Sequence, residues 1–306
     1  MRLIIDTDAG IDDSVAIMLA NSVPGVEIAA ITTCFGTASL ANTTRNALGL
    51  CALIGLRTRV AAGASVPMII EPRPVGGFHG RSGVGEAKLP PPEPDIELDA
   101  AYAWDVIYEE AREERVTIVT LGPLTNLATA LLRYADLPEY VDKIVIMGGS
   151  HGAGNAGRFA EANIAHDPHA CEIVLRSGVP IVMAGLNATE TTRLSTAEWN
   201  RIFSKQSGVS DVLRGMFATY KHSQNMCGET GLVIHDAAAM FAGLYTDAAR
   251  GMFCRVECET SPSPMYARTI ADVRPFADGA RNAEVLTLID RERYIAALDA
   301  MLDYYS

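Results

Sequence analysis

Short apolar runs rich in β-branched residues recur along the chain at 26–33 (VEIAAITT), 116–120 (VTIVT), 142–147 (DKIVIM) and 179–183 (VPIVM). Helix-like stretches at 39–56, 99–114, 124–134 and 167–177 separate them. Strands alternating with helices build βαβ units, and right-handed crossovers then wind the chain into a mainly parallel, Rossmann-like sheet with helices on both faces. The expected class is therefore α/β, doubly wound. At 306 residues the chain could form one large domain or two small ones. No linker, repeat or low-complexity stretch divides it, and the proline cluster at 90–94 (PPPEP) reads as a surface loop, so one domain over 1–306 is expected.

A first strand opens the chain and ends in an unusual group of acids. LIIDTDAGIDD at 3–13 places Asp6, Asp8, Asp12 and Asp13 around Gly10, directly after the apolar run Leu3 to Ile5. Ligands of open α/β sheets bind outside the carboxyl ends of the strands, which is where these acids fall. Four carboxylates in eight residues repel one another unless protons or a cation offset the charge. Helix capping accounts for one or two of them, Asp12 and Asp13, but not for four. Asp8 and Asp13 could share one hard cation, because Gly10 permits a sharp turn and Asp13 opens the helix SVAIMLA. Carboxylate oxygens favour Ca²⁺ or Mg²⁺. An EF-hand does not fit, since the twelfth position counted from Asp6 is Ile17 where a bidentate Glu is needed.

A formal net charge of -12 argues against nucleic acid or an anionic membrane as partner, leaving a small molecule. The chain enters a strand with no secretory leader pattern and holds no apolar stretch near the ~20 residues of a membrane span, so a cytoplasmic protein is expected. The six cysteines form no C-x-x-C pair and read as reduced, buried thiols, with Cys254 and Cys258 on one face of a strand. Glycine-rich 76–86 and the stretch 220–234, a polar helix dissolving at Gly228 and Gly231, read as mobile loops over a site.

Further motifs supply polar groups. LGPLTNLA at 121–128 puts Thr125 at the sheet's carboxyl edge, where a carbonyl or hydroxyl could join the cation. In isolation this is an ordinary strand-to-helix turn. After the next strand, MGGSHGAGN precedes AEANIAHDP, so Glu161 and Asn163 would point the same way with Asn155 across the glycine loop, a cradle for several hydroxyls. His235-Asp236 follows LVI and precedes AAAMFAGL; a carboxylate there could complete the metal shell beside a histidine acting as general acid, or simply cap the helix.

DTDAGIDD, LGPLTNLA, MGGS with Asn155, EANIAHDP and IHDAAAM together resemble, in order and spacing over almost the whole chain, the calcium-dependent inosine–uridine-preferring nucleoside hydrolases. The resemblance implies a Ca²⁺ held by Asp8, Asp13, the Thr125 carbonyl and Asp236, with Asp8 as base toward a metal-bound water. It implies ribose hydroxyls held by Asp12, Asn155, Glu161 and Asn163, a sugar pocket lined by Met147, His235 as proton donor to the leaving base, and His79 as a lid residue against that base. It also implies a homodimer or homotetramer acting on a ribonucleoside. The chain departs from the family pattern at Ala9, where proline is usual, and at Thr37, where an asparagine stands near the leaving group. Two other functions are compatible with parts of the pattern: a nucleoside or ribose binder without turnover, and a phosphatase built on Asp6-x-Asp8. The phosphatase would need a serine or threonine soon after Asp8, where Ala9-Gly10 stands.

Overall fold

A computed structural model describes residues 1–73, 77–92, 96–205, 207–226, 231–274 and 279–306. Among these, nine strands join one sheet: β1 (Arg2–Thr7), β2 (Glu27–Thr33), β3 (Arg59–Ala62), β4 (Val116–Thr120), β5 (Val141–Met147), β6 (Ile181–Ala184), β7 (Ala249–Cys258), β8 (Thr269–Asp272) and β9 (Ala283–Ile289). Their order is β3-β2-β1-β4-β5-β6-β9-β7-β8. The run from β3 to β9 is parallel, while β7 and β8 extend that edge antiparallel. From β1 the chain builds outward through β2 and β3, then crosses back to lay β4 on the other side of β1. The crevice of a doubly wound sheet forms at that reversal, beyond the carboxyl ends of β1 and β4.

The helices are α1 (Ile11–Ser22), α2 (Leu40–Ile54), α3 (Ala103–Glu113), α4 (Thr125–Arg133), α5 (Ala162–His166), α6 (Pro168–Leu175), α7 (Leu186–Thr189), α8 (Thr196–Ile202), α9 (Gly208–Met226), α10 (His235–Leu244) and α11 (Arg291–Tyr304). The pleat of β1 sends Leu3 and Ile5 into a core shared with α1, α9, α10 and α11, and Ile4 into a second core shared with α3, α4 and α6. Strands buried on both faces carry continuous apolar runs rather than alternation. Element ends follow local chemistry: α2 stops at Gly55 in the left-handed region (φ 65°), and α6 starts at Pro168 with Asp167 accepting from the Ala170 N–H.

The strand expected from 179 begins only at Ile181, because Pro180 has no N–H to give the ladder; its carbonyl accepts from the Ile144 N–H instead. Cys254 and Cys258 do share one face of β7, with Val256 between them in the second core. Five cysteines are free and buried; Cys227 lies outside the described residues. Of the first expected loop, Gly76 lies outside the described residues; 77–86 form a 3₁₀ turn (Gly77–His79) and then bends at Gly80, Gly83 and Gly85, all with positive φ. Of the second, α9 continues through Met226, Gly228 lies outside the described residues, and Leu232 bridges to Leu194. Among the described residues no helix is long and apolar enough to cross a membrane.

Candidate active site

The turn from β1 into α1 folds back on its own acids. Asp13 opens the first turn of α1, and its Oδ2 accepts from the Gly10 N–H at 2.9 Å while its Oδ1 accepts from the Thr7 hydroxyl. Thr7 in turn accepts from the Ala9 N–H at 2.9 Å. Ala9 sits at φ 34°, a strained conformation for a residue with a Cβ. That kink sets Asp8 and the α1 N-terminus side by side. Thr37, in the loop after β2, straps Asp8 from outside: its N–H donates to Oδ2 at 2.6 Å and its hydroxyl to the Asp8 carbonyl at 2.7 Å.

A second helix aims its N-terminus at the same point. Ala237, Ala238 and Ala239, all fully buried, pack α10 into the core that α1 shares, and this brings Asp236 to the acids of α1. Oxygens of Asp12, Asp13 and Asp236 lie within 4.8 Å of one another, all buried. Burial pushes the carboxyls of Asp8, Asp12, Asp13 and Asp236 upward, and neighbouring negative charge adds to the rise at Asp8, Asp13 and Asp236. His79 Nδ1 stands 3.7 Å from Asp12, but burial pushes its pKa down to about 4 and leaves it neutral. Two helix dipoles offset part of this charge. An all-oxygen donor set of buried carboxylates at this spacing fits a hard divalent cation.

These acids floor a cavity of about 960 Å³. On one side His79 accepts from the Ile11 N–H at 3.2 Å and packs against Phe78 and Tyr220, whose hydroxyl donates to Asp12 Oδ2 at 3.3 Å. Opposite, the Asn163 amide donates to the carbonyls of Leu121 (2.7 Å) and Met147 (3.1 Å), which locks α5 onto the ends of β4 and β5. Glu161 caps α5: Oε1 accepts from the Asn163 N–H, and Oε2 from those of Ile164 and Gly149. Burial raises its carboxyl to about 7 despite those bonds. Asn155 Oδ1 accepts from the Ala162 N–H at 2.9 Å. Met147 lines the wall, and His235 reaches the cavity with Nδ1 2.7 Å from the Thr189 hydroxyl.

Of the residues singled out from sequence, Asp8, Asp12, Asp13, Thr37, His79, Met147, Asn155, Glu161, Asn163, His235 and Asp236 all border this one cavity. Thr125 does not. Its hydroxyl donates to Asp167 at 2.8 Å and its carbonyl accepts from Thr129 inside α4, whereas Leu121, at the end of β4, faces the cavity. The sheet's carboxyl edge, where Thr125 was expected, is reached at Leu121, before the turn into α4. The cluster that converges most tightly also contains Asp12 where Asp8 was expected. Sequence reasoning missed Thr7, Leu121 and Thr189. Thr7 gives no signal of its own, since β1 is buried on both faces and a threonine at its end breaks no alternation.

Residues 3–296 match the family described as inosine-uridine preferring nucleoside hydrolase. The chain belongs to this family. Similar nucleoside hydrolases include uridine nucleosidase 1 of Arabidopsis thaliana, 40% identical over 80% of this chain and 74% of that protein. The pyrimidine-specific ribonucleoside hydrolase RihA of Salmonella paratyphi A is 34% identical over 100% of this chain and 99% of the relative. Among solved structures, a purine-preferring ribonucleoside hydrolase from Gardnerella vaginalis superposes with a TM-score of 0.91 at 28% identity, covering 99% of this chain and 98% of that one. An inosine-guanosine nucleoside hydrolase reaches 0.93 at 26% identity, over 100% and 99%. As a nucleoside hydrolase, the protein cleaves the N-glycosidic bond of ribonucleosides.

Proposed function

We propose that this nucleoside hydrolase acts on pyrimidine ribonucleosides with Ca²⁺ as its resident ion. The observation that carries the ion is the convergence of Asp12, Asp13 and Asp236 within 4.8 Å on the floor of the cavity. Asp13 and Asp236 hold it; Asp8, within hydrogen-bond reach of Asp13, completes the set, and any backbone ligand from the β4 loop comes from Leu121. When bound, such an ion offsets the carboxylate charge and polarises a water. The pyrimidine preference rests on the names of the two relatives at 40% and 34% identity, the purine-directed structures standing at 28% and 26%.

The chain's own groups then divide the work. Breaking the bond between C1′ and the base nitrogen builds positive charge on the sugar, and buried carboxylates face that charge. Asp8, held by Thr37, takes a proton from the attacking water; Thr37 thus serves through Asp8. Asp12, oriented by Tyr220, with Asn155, Glu161 and Asn163, holds the ribose hydroxyls, since a carboxylate that already accepts backbone N–H groups has further lone pairs for an O–H. Met147 packs on the sugar, His79 and Phe78 wall the base, and His235 gives the departing base its proton, a step of about 10²- to 10⁴-fold. Direct attack by water inverts the anomeric carbon, as in inverting glycosidases.

The cytoplasm is the compartment we favour, in keeping with the free cysteines. We also take a homodimer or homotetramer as the assembly, which sedimentation would read. The test of function is ribose release from uridine, cytidine, inosine and nicotinamide riboside, with and without a calcium chelator. Chelator-sensitive release that is fastest from uridine or cytidine is expected. Release that ignores the chelator removes the ion, release fastest from inosine removes the pyrimidine preference, and calcium binding without any release turns the protein into a binder.

A further inference from the structure

The histidine at the start of α10 is held by a residue that no motif marks. Thr189 ends α7, the short helix after β6, and is fully buried. Its Oγ1 lies 2.7 Å from His235 Nδ1, and also 3.3 Å from the Gly185 carbonyl and 3.4 Å from that of Leu186. Its backbone is equally fixed: the N–H donates to Gly185 at 3.0 Å, and the carbonyl accepts from the Thr192 hydroxyl at 2.7 Å. A threonine hydroxyl has one hydrogen, and inside a helix it commonly goes to the carbonyl three or four residues back. Spent on Gly185 or Leu186, that hydrogen leaves Oγ1 as an acceptor toward the ring.

We infer that Thr189 is the positioning residue for His235: it accepts from Nδ1–H, fixes the tautomer and ring plane, and so dedicates Nε2 to the leaving base. The partner of one imidazole nitrogen decides what the other does. With Nδ1 committed to the protein, any proton His235 gives to a ligand comes from Nε2. His235 enters the step as the imidazolium, its Nδ1–H held by Thr189 and its Nε2–H toward the base. As the C1′–N bond breaks, its electron pair stays on the base nitrogen, the water oxygen bonds C1′, one water proton passes to Asp8, and the Nε2 proton passes to the base. This leaves the neutral Nδ1–H imidazole, which the return of the Asp8 proton to Nε2 recharges. The sum is nucleoside plus water to base plus ribose. This inference rests on the proposed role of His235, so the tests separate the two.

Thr189→Val keeps the shape of the side chain and removes the hydroxyl; Thr189→Ser keeps the hydroxyl. Each is compared with wild type on the best nucleoside substrate and on p-nitrophenyl β-D-riboside, whose phenolate departs without a proton. Thr189→Val is expected to lose about 10²-fold in kcat on the nucleoside and to stay close to wild type on the aryl riboside, with Thr189→Ser near wild type on both. Equal loss on the two substrates, or no loss on either, overturns the inference. His235→Ala is the control. If it shows the leaving-group split and Thr189→Val does not, only Thr189 is misassigned; if it shows none, the acid assignment fails. In that case the tautomer of the neutral ring decides: ¹⁵N NMR of histidine-labelled protein, at a pH where His235 is uncharged, should find it as Nδ1–H in wild type and changed in Thr189→Val. An Nε2–H tautomer in wild type refutes the inference whatever the kinetics.

Discussion

Single side chains and single missing side chains set the geometry of the acids. Gly36 passes so close to Asp8 that a Cβ there would stand 2.1 Å from Oδ2. Gly36→Ala must therefore push the carboxylate off its strap to Thr37, and kcat should fall at least about 10²-fold, the scale of losing one aligned acid–base group; an alanine variant at full speed would show that Asp8 needs no strap. Thr125→Val tests the correction at the β4 turn. It removes the 2.8 Å bond to Asp167 and should cost about 1–2 kcal/mol of stability, measurable by denaturant titration, with calcium affinity and kcat unchanged. A collapse in calcium affinity would return Thr125 to the ion. Most site residues were legible because acids, amides and histidines stand out against apolar strands. Thr7 and Thr189 were not, since a threonine in a strand or short helix looks like framework until its partner is known, and the partner of Thr189 lies 46 residues away.

At the level of elements, the strands and helices expected between residues 26 and 177 appear within a few residues of their expected bounds, because buried parallel strands and their covering helices have strong periodicity. What stayed hidden was β3, four residues long, and the antiparallel edge. In β7 the buried Cys254, Val256 and Cys258 alternate with Arg255 and Glu257, which marks a strand, but nothing in that alternation says that it runs antiparallel to its neighbours β9 and β8. The pairing of α1 with α10 was also invisible, since nothing in a single sequence says which helices meet. Three consecutive alanines without any exposure make the close approach possible. Ala238→Leu should overpack this region, cost about 1–3 kcal/mol, and weaken calcium binding by displacing Asp236. Calorimetry reads both; lost stability with unchanged calcium affinity would mean that α10 does not set the spacing of the acids.

Across the whole molecule, buried acids make stability depend on pH in an unusual direction. Glu161 and Asp6 have carboxyls raised to about 7 by burial, above their values in an unfolded chain. For such groups the folded state binds more protons than the unfolded one between pH ~4 and ~7, so their contribution is full below that window and is lost as pH rises through it. For Glu161 alone, a rise from 4.5 to about 7 amounts to about 3 kcal/mol as an upper figure. Calcium-free protein should therefore melt higher at pH 5.5 than at pH 8. Saturating Ca²⁺ should raise Tm at pH 8 by mass action and narrow the gap; a calcium-free protein that melts higher at pH 8 contradicts the burial argument. The meeting of the two helix N-termini has one more consequence. Asp13 and Asp236 come from opposite halves of the chain, and they face each other through the docking of α10 beside α1. The floor of the cavity is thus among the contacts of highest sequence separation, the kind whose loop-closure entropy delays folding. No half of the polypeptide carries a working centre, and the recovery of activity reports that the entire chain has reached its native topology.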